Sequence, residues 1–184
     1  MSCGSDLAHV VDMEGFPKGE CPIMNQSRKP IMTGVGNVKF VELFIKNNVE
    51  FMLVGGAAVL HYGCRADGVS EIDLMIEPEL ANSDRVMLAL TQVGVTPSFT
   101  SKDLQRPKVQ LPIKRNDYYL DILTPWKELS YADLRERSEL GMIGRTEVRI
   151  VSRDDLIKLK EFVVQHLESE AGKHRKDLQC LTAV

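Results

Sequence analysis

The stretch Ser70–Ile76, SEIDLMI, reads as a strand for a protein core, except that it carries two acids, Glu71 and Asp73, two positions apart. Side chains alternate along a strand, so Ile72, Leu74 and Ile76 share one face and Glu71, Asp73 and Met75 the other. The apolar face suits packing against a helix. The two carboxylates then stand side by side, about 6.5–7 Å apart at the backbone. Like charges held that close repel, and either a well-solvated strand edge or an intervening cation relieves the repulsion.

The pattern recurs in YYLDIL (118–123), where Leu120 and Ile122 flank Asp121. If the two strands are neighbours, Glu71, Asp73 and Asp121 converge. Carboxylates on a rigid sheet suit Mg²⁺, which takes them together with phosphate and water. Such a site clamps the attacking and leaving oxygens of a phosphoryl transfer. Upstream, LVGGAAVLHYG (53–63) reads as strand, Gly-Gly, helix. Gly55 and Gly56 let a backbone approach a ligand closely, and the N–H groups at a helix start attract phosphate.

The remaining chain supplies the frame. Residues 1–36 are rich in Gly, Pro, Ser and Met and read as an irregular or flexible arm, with the domain proper at 37–184. Helical spacing marks 38–48, 57–63, 84–94, 130–140, 153–168 and roughly 173–183, and strand-like runs mark 50–54, 70–76, 108–113, 118–123 and 146–151. Asn82 and Ser83 are expected to cap the helix at 84–94, Ser130 the next, and Ser152 with Asp155 forms a capping box. The runs at 108–113 and 118–123 suit a hairpin. Helices and strands interleave, so the expected class is mixed α/β (α+β), a mixed sheet flanked by helices.

Composition narrows the function. The chain has 184 residues and a formal net charge of −3, which provides no global attraction to nucleic acid. Its apolar runs fall short of the ~20 residues that cross a bilayer, and the N-terminus lacks the pattern of a secretory signal. Cys3, Cys21, Cys64 and Cys180 show no zinc spacing and are expected as reduced thiols of a cytoplasmic protein. Arg65 either touches phosphate or pairs with Asp67. His61 reads as a satisfied or exposed histidine. Lys158 and Lys160 read first as a solvated helix face, as do Lys173, His174, Arg175 and Lys176. Trp126 is expected in the core or at its rim rather than as a stacking platform.

The run VGGAAVLHYGCRADGVSEIDLMI (54–76), with LDI at 120–122, resembles the nucleotidyltransferase superfamily of the DNA polymerase beta type. Within it, Gly55, Gly56, Ala58, His61, Gly63, Arg65 and Glu71-Ile72-Asp73 look most like the minimal nucleotidyltransferases related to the abortive-infection toxin AbiEii. The resemblance spans about residues 38–184 and implies the nucleotidyltransferase-like fold. It implies that Glu71, Asp73 and Asp121 bind Mg²⁺ and that Asp121 activates the acceptor hydroxyl. Gly55, Gly56, Arg65, Lys158 and Lys160 would hold the nucleoside triphosphate, such as ATP. The acceptor would be tRNA, a protein or a small molecule, and the subgroup adds a toxin–antitoxin or defence role with a cognate antitoxin. The chain departs from the pattern at Glu71, where the family carries Asp, and at Val69, where it often carries Thr. Those departures suit the alternative, a catalytically impaired module that binds a nucleotide or partner protein without transfer.

Overall fold

The computed structural model describes residues 30–115, 117–166 and 171–183. Residues 1–29 of the expected arm, with Cys3 and Cys21, lie outside them, as does Asn116 of the expected turn. In chain order the elements are α1 (Val35–Lys46), β1 (Phe51–Val54), α2 (Gly55–His61), β2 (Ile72–Ile76), α3 (Leu80–Gln92), a 3₁₀ turn (Asp103–Gln105), β3 (Gln110–Arg115), β4 (Tyr118–Leu123), α4 (Tyr131–Arg137), β5 (Glu139–Ile143), β6 (Thr146–Ile150), α5 (Arg153–His166) and α6 (Ala171–Thr182). The strands form one mixed six-stranded sheet in the order β3-β4-β2-β1-β6-β5.

The alternation in SEIDLMI holds. Ile72, Leu74 and Ile76 are wholly buried, each contributing about 1.5–3 kcal/mol by leaving water. They sit between two partners: β1 runs antiparallel to β2, with Val54 opposite Asp73, and β4 runs parallel to it, with Asp121 opposite Asp73. The hairpin expected at 108–123 is β3 and β4, with Pro112 opposite Asp121. Pro112 removes a backbone donor, which β3 tolerates as an edge strand.

Two buried asparagines fix the ends of these strands. Asn37 of α1 donates through Nδ2 to Thr33 Oγ1 (2.9 Å) and to the Ser70 carbonyl (3.1 Å), and its Oδ1 accepts from the Tyr119 N–H (2.8 Å). It thereby ties together the entries to β2 and β4, two or three residues ahead of their acids. Asn82 Oδ1 accepts from the Glu50 N–H (2.8 Å), and Nδ2 donates to the Glu50 and Glu77 carbonyls (2.9 and 3.0 Å). This corrects the expected cap: α3 begins earlier, at Leu80, and Asn82 and Ser83 are buried within it. Asn82, which looks like a cap, instead ties the residue before β1 to the residue after β2.

Other expectations stand. Ser130 Oγ accepts from the Asp133 N–H (3.2 Å), and Ser152 Oγ accepts from the Asp155 N–H (3.2 Å) while donating to Asp155 Oδ2 (2.8 Å). The helix expected at 130–140 stops at Arg137, because Glu139–Ile143 turns back as an antiparallel partner of β6. The last residues of the expected arm also do work in the sheet: Ile31 is buried and bridges Ile143, and Thr33 bridges Val69.

The expectation of four reduced thiols is corrected for two of them. Cys64, after α2, and Cys180, on α6, form a disulfide, their Cα atoms 5.6 Å apart and separated by 116 positions in sequence. Nothing in their spacing announces this, since only folding brings the α2–β2 connection against the last helix. Replacing both by Ser is expected to lower the unfolding free energy by about 2–4 kcal/mol in non-reducing urea titrations. A dithiol added to the wild-type chain should produce the same drop.

Candidate functional site

The cleft is built on the acid-bearing side of β2 and β4. It holds about 610 Å³ and is lined by Val54 to Gly56, Glu71, Asp73, Asp121 and the inner side of α5, with α6 at its margin. Of the expected residues, Gly55, Gly56, Arg65, Glu71, Asp73, Asp121 and Lys160 border this space, and Lys158 does not.

Asp73 and Asp121 form its centre. As register partners on parallel strands they point to the same side of the sheet. Asp73 Oδ2 accepts a long hydrogen bond from the Gly56 N–H (3.3 Å). Asp121 Oδ2 accepts from Gln110 Nε2 (2.6 Å), and its buried Oδ1 has no hydrogen-bond partner among the described residues. Burial and the neighbouring Asp121 push the Asp73 carboxyl up from 3.8 to about 6, against the opposing Gly56 hydrogen bond and Lys160 charge.

The glycine pair has a steric reason specific to this chain. Gly55 has φ of +57°, and a Cβ there would overlap Asp73 Oδ2. A Cβ on Gly56 would sit 2.8 Å from an Arg65 guanidinium nitrogen. The positive φ and the Asp73 carboxylate together favour glycine at Gly55, a side chain at Gly56 would displace the Arg65 guanidinium, and the Gly56 N–H is engaged by Asp73.

Glu71 departs from the expected convergence. Its Oε1 lies 3.2 Å from Lys114 Nζ on β3, an ion pair without hydrogen-bond alignment. Among the described residues no group of three His, Cys, Asp or Glu side chains is placed to hold a metal ion. The sheet thus brings two of the three expected carboxylates together. Glu71 precedes β2, where its longer side chain reaches across to the edge strand instead.

The cationic wall is Lys160 of α5 and Arg65, on the connection after α2, with Asp177 of α6 as their shared acid. Lys160, expected on a solvated face, is 3% exposed, and its Nζ donates to Asp177 Oδ2 (2.7 Å) and lies 3.5 Å from His174 Nδ1. Arg65 pairs with Asp177 rather than Asp67, with Nη2 2.8 Å from Oδ2 and Nε 3.2 Å from Oδ1. Burial lowers the Lys160 pKa, opposed by its bonds to Asp177. Burial alone would raise Asp177, but the hydrogen bonds from Arg65 and Lys160 outweigh it and hold the carboxyl low. Lys158, by contrast, is exposed and lies 3.4 Å from Asp155 Oδ1, where Arg137 also binds.

Sequence reasoning overlooked Gln110 and the rings of Phe162 and His166, all of which line the cleft with Trp126. The i, i+4 spacing of Phe162 and His166 was the available signal for the latter pair. Gln110 shows none, because only the β3–β4 pairing aims it at Asp121.

No protein-family model matches the chain, and no curated protein sequence matches it. A solved structure does match in fold: the crystal structure of an antigenic nucleotidyltransferase-like protein from Paracoccidioides brasiliensis, with a TM-score of 0.51. It is 12% identical, over 81% of this chain and 77% of that one. The chain therefore has a nucleotidyltransferase-like fold.

Two outcomes test this geometry. The folded Asp73 binds its proton more tightly than the unfolded chain does, so its stabilising contribution is full below about pH 4 and is lost as pH rises through about 6. Asp73→Asn is expected to be more stable than wild type by about 1–3 kcal/mol near pH 8 without divalent ions, with no gain near pH 4. Urea denaturation at both pH values reads this. In the same assay Asp177→Asn, which strands Lys160, should cost about 3 kcal/mol or more, and Lys158→Ala under about 0.5.

Proposed function

We propose that the protein is a nucleotidyltransferase that moves a nucleoside monophosphate from a nucleoside triphosphate to a hydroxyl of RNA, of a protein or of a small molecule. The observation that carries this reading is the Asp73–Asp121 pair, two facing carboxylates on one cleft floor, one of them with a buried oxygen that has no hydrogen-bond partner among the described residues. Proteins seldom hold like charges together without a cation or a shared proton to offset them.

The donor set fits Mg²⁺, which commonly takes one or two carboxylates and completes its shell with substrate phosphate and water. Asp73 and Asp121 would hold the ion. Once bound, it offsets their charge and that of the triphosphate, which favours attack at the α-phosphorus.

The chain's own residues account for the rest. Lys160 and Arg65 present positive charge along the wall that the triphosphate would meet, and Asp177 keeps both in place. Gln110 occupies Oδ2 of Asp121, which leaves Oδ1 to accept the proton of the acceptor hydroxyl. As that proton moves, the hydroxyl oxygen bonds to the α-phosphorus. The bond from that phosphorus to the α–β bridging oxygen breaks, and pyrophosphate leaves with the electron pair.

One observation favours a second reading, a nucleotide-binding module without transfer: Glu71 stands against Lys114 instead of beside Asp73 and Asp121. Calorimetric titration with ATP and CTP, with and without Mg²⁺, separates the two. Transfer requires metal-dependent binding that Asp73→Asn weakens roughly tenfold or more. Asp121→Asn should slow labelling of total RNA and protein by radiolabelled triphosphates by about 10²–10⁴-fold. Metal-independent binding with nothing labelled would establish the module instead.

A further inference from the structure

Three rings stand in a row along one side of the cleft. Trp126, on the segment after β4, stacks on Phe162 of α5 with centroids 3.8 Å apart and planes 29° apart. Phe162 stacks in turn on His166, at 4.0 Å and 20°. Two rings cannot both lie within about 4 Å of the same face, so Phe162 is covered on both sides. The faces that no other ladder ring covers are then the two ends: that of Trp126, half-buried and packed partly against the core, and that of exposed His166. His166 Nδ1 donates to the Phe162 carbonyl (2.8 Å), which fixes its ring.

This arrangement differs from the aromatic packing of the core. There, Phe40–Phe44, Phe40–Tyr118 and Phe44–Phe51 meet at 48°, 65° and 71°, the tilted and edge-on geometries that interlocking side chains adopt. The three ladder rings are near-parallel, all border the cleft, and run from half-buried Trp126 to exposed His166. A row of parallel faces ending at solvent is shaped to accept one more flat ring.

The neighbouring charges say what that ring is attached to. The same cleft carries Asp73 and Asp121 on its floor and Lys160 and Arg65 on its wall. A ligand that fits both halves has a polyanionic end and a flat aromatic end. Resting on the transfer reading above, we propose that the ladder is a platform against one end of which the base of the incoming nucleoside triphosphate stacks, with Phe162 holding the end rings Trp126 and His166 in place, and that a purine is preferred. Stacking tolerates every base, but its strength grows with overlap, and a bicyclic base covers more of an indole than a pyrimidine does.

Trp126 is the chain's one tryptophan, so its fluorescence reports on the platform alone. The wild-type protein is titrated with ATP, CTP and inorganic tripolyphosphate in the presence of Mg²⁺, followed by both fluorescence and calorimetry. ATP is expected to quench Trp126 more strongly than CTP and to bind more tightly, while tripolyphosphate binds without quenching. His166→Ala and Trp126→Leu are each expected to weaken ATP by about 5–100-fold and leave tripolyphosphate unchanged, with Trp126→Phe recovering most of the loss. His166 is exposed, so its variant separates loss of the platform from loss of fold. The platform is overturned if ATP binds with unchanged affinity in both variants, or if ATP and tripolyphosphate weaken together. In those outcomes triphosphate binding by the wild type survives, and so does the transfer reading. Failure of both ligands to bind the wild type would overturn that reading and the platform with it.

Discussion

The arrangement of this protein turns on two carboxylates that have no electrostatic reason to be together. Asp73 and Asp121 face the same side of two parallel, directly paired strands, so the sheet register itself enforces their closeness. Burial first and the repulsion second raise the Asp73 pKa, and the arrangement is tolerated because the strands' other faces bury Ile72, Leu74, Leu120 and Ile122 completely. The core stabilises an arrangement that the site alone would push apart. Strain of this kind, sustained by packing elsewhere, gathers where a protein binds or reacts.

Much of the surrounding structure answers to that pair. Gly55 stays bare because Asp73 occupies the space of its side chain, and Gly56 lends its N–H to the same oxygen. Gln110 reaches from the edge strand to hold one oxygen of Asp121. Asn37 ties the entries of both strands to α1 and so limits how far their register can slip. A one-residue slip would send one acid to the opposite side of the sheet.

The last helix completes the cleft from far away in sequence. Asp177 on α6 is the shared counter-ion of Arg65 and Lys160, and the Cys64–Cys180 disulfide fastens the same helix one residue from Arg65. A buried ion network of this sort adds little net stability compared with apolar packing. Its consequence here is positional: two basic side chains are held at defined points opposite two acids, with the bonds to Asp177 opposing the lowering of the Lys160 pKa by burial.

Local pattern was enough for the parts of this protein that depend on local physics. Alternation in SEIDLMI and YYLDIL told which side of each strand carries the acids, and turn and capping residues located the hairpin and the starts of α4 and α5. The α/β class followed from that order of elements, and the nucleotidyltransferase-like fold from the resemblance carried by residues 54–76 and 120–122. What depends on which partner a segment meets was decided only by the tertiary structure. Cap-like Asn82 became a strand tie, Glu139–Ile143 became a strand because β6 was there to pair with it, and Glu71 turned to Lys114 rather than to its fellow acids. Lys160 and Lys158 are two residues apart on one helix, yet one is buried in the cleft and the other exposed, because a helix turns about 100° per residue and α6 covers a single side of it. Periodicity reports which residues share a face; which neighbour that face meets depends on contacts from 17 residues apart, as for Lys160 and Asp177, to 116, as for Cys64 and Cys180, whose identity no local pattern carries.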